Sequence, residues 1–312
     1  MNASSPLLYA IQFVLALALA PLLSGIINRI KARVAGRHGK PVLQLYFDIA
    51  KLLSKREVLS RTTSWPFRLG PSLSLAATLC ALALLPLGGV ASPLQCPGDF
   101  VLAAYLLGLG RFVMILAALD TGSPFEGMGA SREAAFSALA EPVLFLCFLA
   151  VIGTASNMGL NLDLSLSTMF GGVPAQGWLH GRAELLLIPA VLFILLLVEN
   201  CRIPVDDPTT HLELTMIHEA MILDHSGPNL AFILYGSALK LWLFAALLAG
   251  MLVPAGVLWC QIAGYFAVVF AVAVLVGIVE SVMARLKLSR VSQFLGMAGT
   301  LAAFALILTQ VR

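Results

Sequence analysis

The segment AELLLIPAVLFILLLVENCRIPVDDPTTHLELTMIHEAMILDHSGP, residues 183–228, passes directly from an apolar run into a polar loop. Residues 183–199 are almost entirely apolar, whereas residues 198–228 contain six of the chain's sixteen carboxylates and three of its five histidines. Roughly 20 predominantly apolar residues are needed for a helix to cross about 30 Å of hydrocarbon. The first part therefore predicts a membrane helix, and the second part predicts a loop whose ionisable groups act next to the membrane.

The same apolar pattern recurs along the whole chain. Sixty per cent of its 312 residues are apolar and 11% are charged, which is too little polar surface to cover a soluble domain of this length. Because backbone groups in lipid must pair within their own segment, each apolar run predicts a helix. The sequence therefore predicts a single all-α integral membrane domain, residues 1–312, with about eight transmembrane helices. The eight runs lie near residues 6–28, 70–94, 100–119, 135–158, 183–199, 229–253, 255–279 and 293–310.

The Lys and Arg residues predict the orientation of these helices. Eight spans place the loops after the first, third, fifth and seventh helices on one side, and these loops contain fifteen of the nineteen Lys and Arg residues. Loops rich in Lys and Arg remain in the cytoplasm. No Lys or Arg precedes the first run, which favours a retained helix over a cleaved signal peptide. We therefore expect a multi-pass protein of the cell (inner) membrane with both termini outside the cytoplasm.

The sequence contains no motif for redox chemistry. The five cysteines form no CxxC pair, and there is no GxGxxG, Walker or HExxH motif. We therefore predict no catalytic residue, no metal site and no cofactor in this chain, and no nucleic-acid partner. Any redox centre would belong to a partner subunit.

The loop after the first run is strongly basic, with ten Lys or Arg residues against Asp48 and Glu57. Such charge is typical of cytoplasmic loops beside anionic lipid, and it also suits a docking surface. Between residues 42 and 53 the apolar side chains recur at helical spacing. This pattern predicts a short amphipathic helix at the membrane surface.

The next loop on the same side, residues 119–136, has three glycines and a proline within nine residues. This composition predicts a tight loop, with Ser131 as the N-cap of the helix that enters the membrane. Glu141 lies about two turns into the fourth run, where an isolated carboxylate is costly. Glu141 therefore indicates an ion pathway or an ion pair, and Arg111 and Lys240 are the cations inside predicted spans.

In the opening segment, Asp207 can cap a helix whose first residue is Pro208, and the predicted helix continues to His225. His211, His218 and His225 fall on one stripe of this helix. Successive imidazoles on it would be roughly 10 Å apart, which is too far to bind one metal ion. We therefore interpret the histidines as hydrogen-bonding or proton-carrying groups.

Glu213 and Asp224 share the opposite, apolar face of the same predicted helix. Apolar surroundings disfavour the charged form of a carboxyl group, which lets the group exchange protons near neutral pH. The pair therefore predicts a proton relay at the entrance to the membrane.

Four segments resemble a known family. They are GRHGKPVLQLYFDIAKLLSKREV (residues 36–58), LDTGSPFEGMGASREA (119–134), ENCRIPVDDPTTHLELTMIHEAMILDHSG (199–227) and ESVMARLKL (280–288). They resemble the membrane subunit that respiratory complex I, where it forms the quinone chamber, shares with the group 4 energy-converting nickel–iron hydrogenases of the formate hydrogenlyase and hydrogenase-4 type. The second and fourth segments resemble the hydrogenase branch. Matching or conservatively replaced positions are Gln44, Asp48, Lys51, Leu52, Glu199, Arg202, Pro204, Asp206, Glu213, Leu214, Asp224, Ser226 and Gly227.

The resemblance implies a non-catalytic subunit that docks a hydrophilic redox arm and couples its electron transfer to proton or sodium movement. The implied partners are hydrogenase-like and iron–sulfur subunits, which would hold iron–sulfur clusters and, in the hydrogenase branch, a nickel–iron centre. Antiporter-like membrane subunits and membrane lipid are the other implied neighbours. For the ion pathway we select Glu133, Glu141, Glu199, Asp206, Glu213, Asp224, Lys240 and Glu280. For docking we select Arg29, Arg33, Arg37, Asp48, Lys51, Arg202, His211 and His218.

Two alternatives remain open. One is a quinone-binding subunit of an NADH:quinone oxidoreductase-like complex, with the headgroup among Glu199, Asp206, His211 and the first loop. Against it, Thr209 and His211 stand where quinone-reducing members carry two further acidic residues. The other is a free-standing ion carrier that uses the charges inside the predicted spans.

Overall fold

A computed structural model describes residues 4–159, 164–206, 216–254 and 256–311, and over these residues the fold is all-α. The helices are α1 (Ser4–Val34), α2 (Gln44–Leu53), α3 (Trp65–Leu84), α4 (Asp99–Asp120), α5 (Pro124–Asn157), α6 (Leu166–Gly171), α7 (Val173–Leu179), α8 (Glu184–Glu199), α9 (His218–Met221), α10 (Gly227–Leu252), α11 (Leu258–Val282) and α12 (Leu288–Val311). The predicted all-α polytopic membrane fold is confirmed.

Each of the eight apolar runs forms one long helix. Seven of the helices described are long and apolar enough to cross a membrane. The run at 183–199 forms α8, whose 16 residues span about 24 Å at 1.5 Å per residue. Helices α5, α10 and α12 pack around α8 and bury most of its apolar side chains.

The long helices run alternately between two ends of the bundle. At one end, called the loop end below, the segments after α1, α4, α8 and α11 meet. Bonds that define the loop end join Lys31 to Glu280, Ser64 to Asp120, and Leu286 to Pro204. Bonds at the opposite end join Tyr9 to Leu85, Gly98 to Leu164, and Trp178 to Met251. The four loops predicted to share a side therefore lie together, while the cellular compartment that they face stays a prediction.

Two helix boundaries differ from the prediction by about ten residues, more than the others. Helix α3 ends at Leu84 instead of continuing to residue 94, because Pro86 and the positive-φ residues Gly88 and Gly89 turn the chain. Helix α5 begins at Pro124, a residue well suited to the first helical position.

Ser131 consequently lies inside α5, where its hydroxyl donates to the Met128 carbonyl, so its prediction as an N-cap was wrong. The predicted tight loop at residues 119–136 is limited to the few residues between α4 and α5.

The short amphipathic helix predicted in the first loop is confirmed as α2. The chain leading into α2 lies directly on α1, because a Cβ atom at Gly25 would overlap the carbonyl group of Val42. At the other end of the first loop, the N–H of Val58 donates to the Ser226 hydroxyl. The basic loop is therefore held against the bundle at both of its ends.

Candidate functional site: buried ion pairs and two cavities

Four charged side chains from four long helices meet inside the bundle. The Arg111 guanidinium of α4 lies 3.3 Å from Glu199 at the end of α8 and 3.6 Å from Glu141 of α5. Lys240 of α10 completes the group, with its Nζ atom 2.8 Å from Glu199 Oε2. Of the two alternatives left open for Glu141, an ion pair is therefore present, with Arg111 as the partner.

Burial makes ion pairing necessary in this cluster. The side chains of Arg111 and Glu199 are each only 7% exposed, and unpaired charges at such positions would cost several kcal/mol each. Glu141 differs, because 41% of its side chain is exposed on the side of the bundle. The cluster therefore joins the interior to a lateral surface at mid-helix depth.

A cavity of about 90 Å³, called the inner cavity, adjoins this cluster. Glu133 of α5 also lines it, and the Cys201 sulfur lies 3.9 Å from Glu133 Oε2. Burial, reinforced by the carboxylates of Glu133 and Asp206, raises the pKa of the Cys201 thiol well above its ordinary value. The thiol therefore stays protonated and can donate to Glu133.

A larger cavity of about 320 Å³, called the outer cavity, lies towards the loop end. It opens between α1, α2, α10 and the chain after α8. Its lining mixes charges of both signs with amide and hydroxyl groups, and includes Lys40, Gln44, Asp48, Arg202, Asp206 and Glu219. This composition suits water, ions or the polar head of an amphipathic ligand.

Asp206 organises the loop that follows α8. Its carboxylate pairs with Arg285 and accepts the backbone N–H groups of Ile217 at 3.1 Å and of His218 at 3.2 Å. A carboxylate that accepts such bonds fixes its donors in place. Asp206 therefore sets the position of the chain on the far side of the undescribed residues 207–215.

Glu280 of α11 forms a second buried ion-pair group at the loop end. It lies 2.9 Å from Lys31 and 3.5 Å from Arg202, which also reaches Ser24. Arg202, selected for docking, is thus directed into the bundle and towards the outer cavity.

The remaining predicted docking residues differ in their surroundings. Arg33, Arg37 and Lys51 are exposed at the loop end. Arg29 donates to the His38 carbonyl, and Asp48 accepts from Gln44. His218 lines both cavities, and the predicted docking residue His211 lies outside the described residues.

The helix predicted from Pro208 to His225 is wrong over its described part. Only His218–Met221 are helical, and a turn follows them. Asp224 is exposed, and its N–H donates to Glu126 at 3.1 Å, so its side chain does not lie on a buried apolar face. Its predicted partner Glu213 lies outside the described residues.

Several residues of this region escaped prediction. Glu126 is 1% exposed, and its place in the first turn of a helix beginning at Pro124 was the available signal, since acidic residues favour helix N-termini. Arg285 lies in the segment at residues 280–288, but its ion pair with Asp206 was not predicted. No local pattern predicts the Cys201–Glu133 contact.

Comparisons with known proteins agree with this architecture. The chain matches the NADH dehydrogenase family over residues 7–310. It is 35% identical to hydrogenase-4 component C of Escherichia coli (strain K12) over 245 residues, which cover 78% of this chain and 74% of that protein. It is 31% identical to formate hydrogenlyase subunit 4 of the same organism over 286 residues, which cover 89% and 90%.

A solved structure shares the fold. A chain of the membrane-bound sulfane sulfur reductase, an archaeal respiratory membrane complex, superposes with a TM-score of 0.80 at 21% identity. The match covers 96% of this chain and 98% of that one. This match shows the shared fold, whereas the family match and the two Escherichia coli relatives confirm the resemblance inferred from the four sequence segments.

Proposed function

Because the chain belongs to the NADH dehydrogenase family, we propose that it is the membrane-anchoring and ion-coupling subunit of a complex I-like hydrogenase complex. In this proposal the loop end faces the cytoplasm and holds a hydrophilic redox arm. The iron–sulfur clusters, with or without a nickel–iron centre, reside in partner subunits. Protons or sodium ions move through the bundle of this chain.

The observation that supports ion coupling best is a polar route from the loop end to the side of the bundle. The route begins in the outer cavity, continues through the inner cavity, and ends at Arg111 and Glu141. Charged groups at membrane depth are costly and mark ion pathways. An exposed carboxylate there is best covered by another membrane protein, so we assign the surface around Glu141 to an antiporter-like membrane subunit.

The exposed cations of the basic loop support the anchoring role. Arg33, Arg37 and Lys51 project from a loop that is fixed to the bundle at Gly25 and Ser226. A fixed array of cations can orient an acidic partner and speed its encounter. The same array would also attract anionic lipid, so partner binding has to be measured directly.

Affinity purification from native membranes in a gentle detergent tests the proposal. We expect iron–sulfur and hydrogenase-like subunits to co-purify, together with antiporter-like membrane subunits, and mass spectrometry would identify them. Recovery of this chain alone, with ion transport by the isolated protein, would contradict the proposal and favour a free-standing carrier.

The size of the outer cavity favours a second candidate, a quinone site. Ligand sites commonly have volumes of about 300–1,000 Å³, and this cavity of about 320 Å³ carries polar groups beside apolar ones. An azido-quinone probe would then label residues of α2 in the purified complex, and an excess of unmodified quinone would compete. Labelling spread over the lipid-facing helices, without competition, would exclude this site.

A further inference from the structure

The inner and outer cavities are separated by a thin partition. The residues that line both cavities are Asn200, Cys201, His218, Ile233 and Ser237. Any proton that passes from one cavity to the other by this route has to cross between these side chains.

Two of the five partition residues can titrate. Cys201 keeps its proton for the reasons given above, whereas an imidazole can accept a proton at one ring nitrogen and release one from the other. His218 is also the partition residue whose backbone N–H donates to the Asp206 carboxylate. Among the described residues, it is therefore the group best suited to carry a proton across the partition.

Proton donors and acceptors lie on both sides of His218. The outer cavity presents the acidic residues Asp48, Asp206 and Glu219 and the cations Lys40 and Arg202. The inner cavity presents the acidic residues Glu133 and Glu199 and the cations Arg111 and Lys240. A relay between these two sets needs one group within reach of both.

We propose that His218 relays protons between the outer and the inner cavity. The neutral imidazole takes a proton at one ring nitrogen from water or a carboxylic acid in the outer cavity. The imidazolium then releases the proton on its other nitrogen to water or to the Glu133 carboxylate, and the ring returns to its first tautomer. This inference rests on the ion-coupling function proposed above and adds a residue that had been assigned to docking.

Backbone contacts hold the relay in place. The N–H of His218 donates to Asp206 Oδ2 at 3.2 Å, and Arg132 donates to the Met216 carbonyl at 2.7 Å. Asp206 and Arg132 are accordingly positioning residues. Both bonds are made by backbone atoms, so neither of them uses a ring nitrogen of His218.

The test compares His218→Gln and His218→Ala complexes in proteoliposomes, with a pH-sensitive dye reporting protons moved per electron transferred. A positioned side chain typically speeds proton transfer by about 10²–10⁴-fold. Without His218, proton transfer should fall behind electron transfer, so we expect at least a tenfold fall in this ratio in assembled complexes. Added imidazole should restore the ratio in His218→Ala, since the outer cavity can admit the small base. His180→Ala, at the opposite end of the bundle, is the matched control. It should show a normal ratio of protons to electrons, and added imidazole should not alter that ratio.

The outcomes separate the relay from the function on which it rests. A normal ratio in His218→Gln, or no imidazole rescue in an assembled His218→Ala complex, would overturn the relay. If His218→Ala fails to assemble, the ratio in His218→Gln decides. If His218→Gln and Glu141→Gln both show a normal ratio, the ion route itself is overturned. If the ratio is normal in His218→Gln and reduced in Glu141→Gln, only the role of His218 is overturned.

Discussion

Lys240 Nζ lies 2.8 Å from Glu199 Oε2, while the other oxygen of the same carboxylate lies 3.3 Å from Arg111. One carboxylate thus joins helices α4, α8 and α10 inside the bundle. Because both cations pair with it, Glu199 is the centre of the buried network. The network therefore has a structural role in addition to its proposed role in ion movement.

Removing a single member of the Lys240–Glu199 pair should destabilise the complex. Glu199→Gln removes the carboxylate that both Arg111 and Lys240 contact, and Lys240→Met leaves Glu199 with Arg111 alone. Removal of one partner of a buried ion pair typically costs about 3–5 kcal/mol. The double variant should lose less than the sum of the two single changes, because contacting residues are not additive. Thermal unfolding of the detergent-solubilised complex measures this, and strict additivity would show that the two side chains are not coupled.

Adding a methyl group at Gly25 should loosen the basic loop. Gly25→Ala would force the Val42 carbonyl away from α1, with an expected loss of about 1–3 kcal/mol in stability. Gly296→Ala is the matched control, since Gly296 is an exposed helical glycine with no heavy atom within 4 Å of the added Cβ. Proteolysis within residues 35–43 should accelerate in the first variant alone. Equal rates in both variants would exclude the proposed contact.

His225 should make stability depend on pH. Its ring stacks on Phe67 at 4.0 Å, and burial lowers its pKa from 6.5 to about 4. Between these two values the unfolded chain binds the proton and the folded chain does not. Stability from this group is therefore complete above about pH 6.5 and is lost as the pH falls towards 4.

The variant His225→Phe keeps the stacked ring without the titratable nitrogens. Its melting temperature should fall less than that of the wild type between pH 6.5 and 4. Identical pH profiles for the two proteins would contradict the assignment to His225.

Reversing the exposed cations of the basic loop should release the soluble partners. Arg33→Glu, Arg37→Glu and Lys51→Glu together would leave this chain in the membrane but weaken docking, since charge at a rim governs encounter and register. Reversal of the two cations Lys287 and Arg290, exposed near the start of α12, is the control for charge reversal at another part of the loop end. Quantitative co-purification measures the effect. A partner yield at the wild-type level in both variants would assign the basic loop to lipid binding.

The sequence predicted the long helices because apolar composition is a local signal. It failed where a turn interrupted an apolar stretch, as at Leu84, although the glycines at 88 and 89 were visible. It also failed at residues 216–225, where helical periodicity was outweighed by contacts with Asp206 and Glu126. Glu126 lies 98 residues from Asp224 and Asp206 lies 11 residues from Ile217, so neither contact belongs to the local helical pattern.

The candidate site was predicted as a set of residues and not as an arrangement. Isolated charges in apolar runs singled out Arg111, Glu141 and Lys240, and the structure pairs Glu141 with Arg111 and Lys240 with Glu199. The partition between the cavities could not be predicted, because Cys201 and His218 reach it from two separate turns. The exposure of a side chain such as Glu141 likewise depends on how α4 and α5 pack.

Glu141→Gln measures directly whether the internal charges carry ions. This change removes the carboxylate at the lateral end of the route while Arg111 keeps Glu199 as its partner. In proteoliposomes containing the assembled complex, the number of ions moved per electron should fall at least tenfold, with electron transfer to an artificial acceptor retained. An unchanged ratio at normal turnover would show that ions do not pass through Glu141.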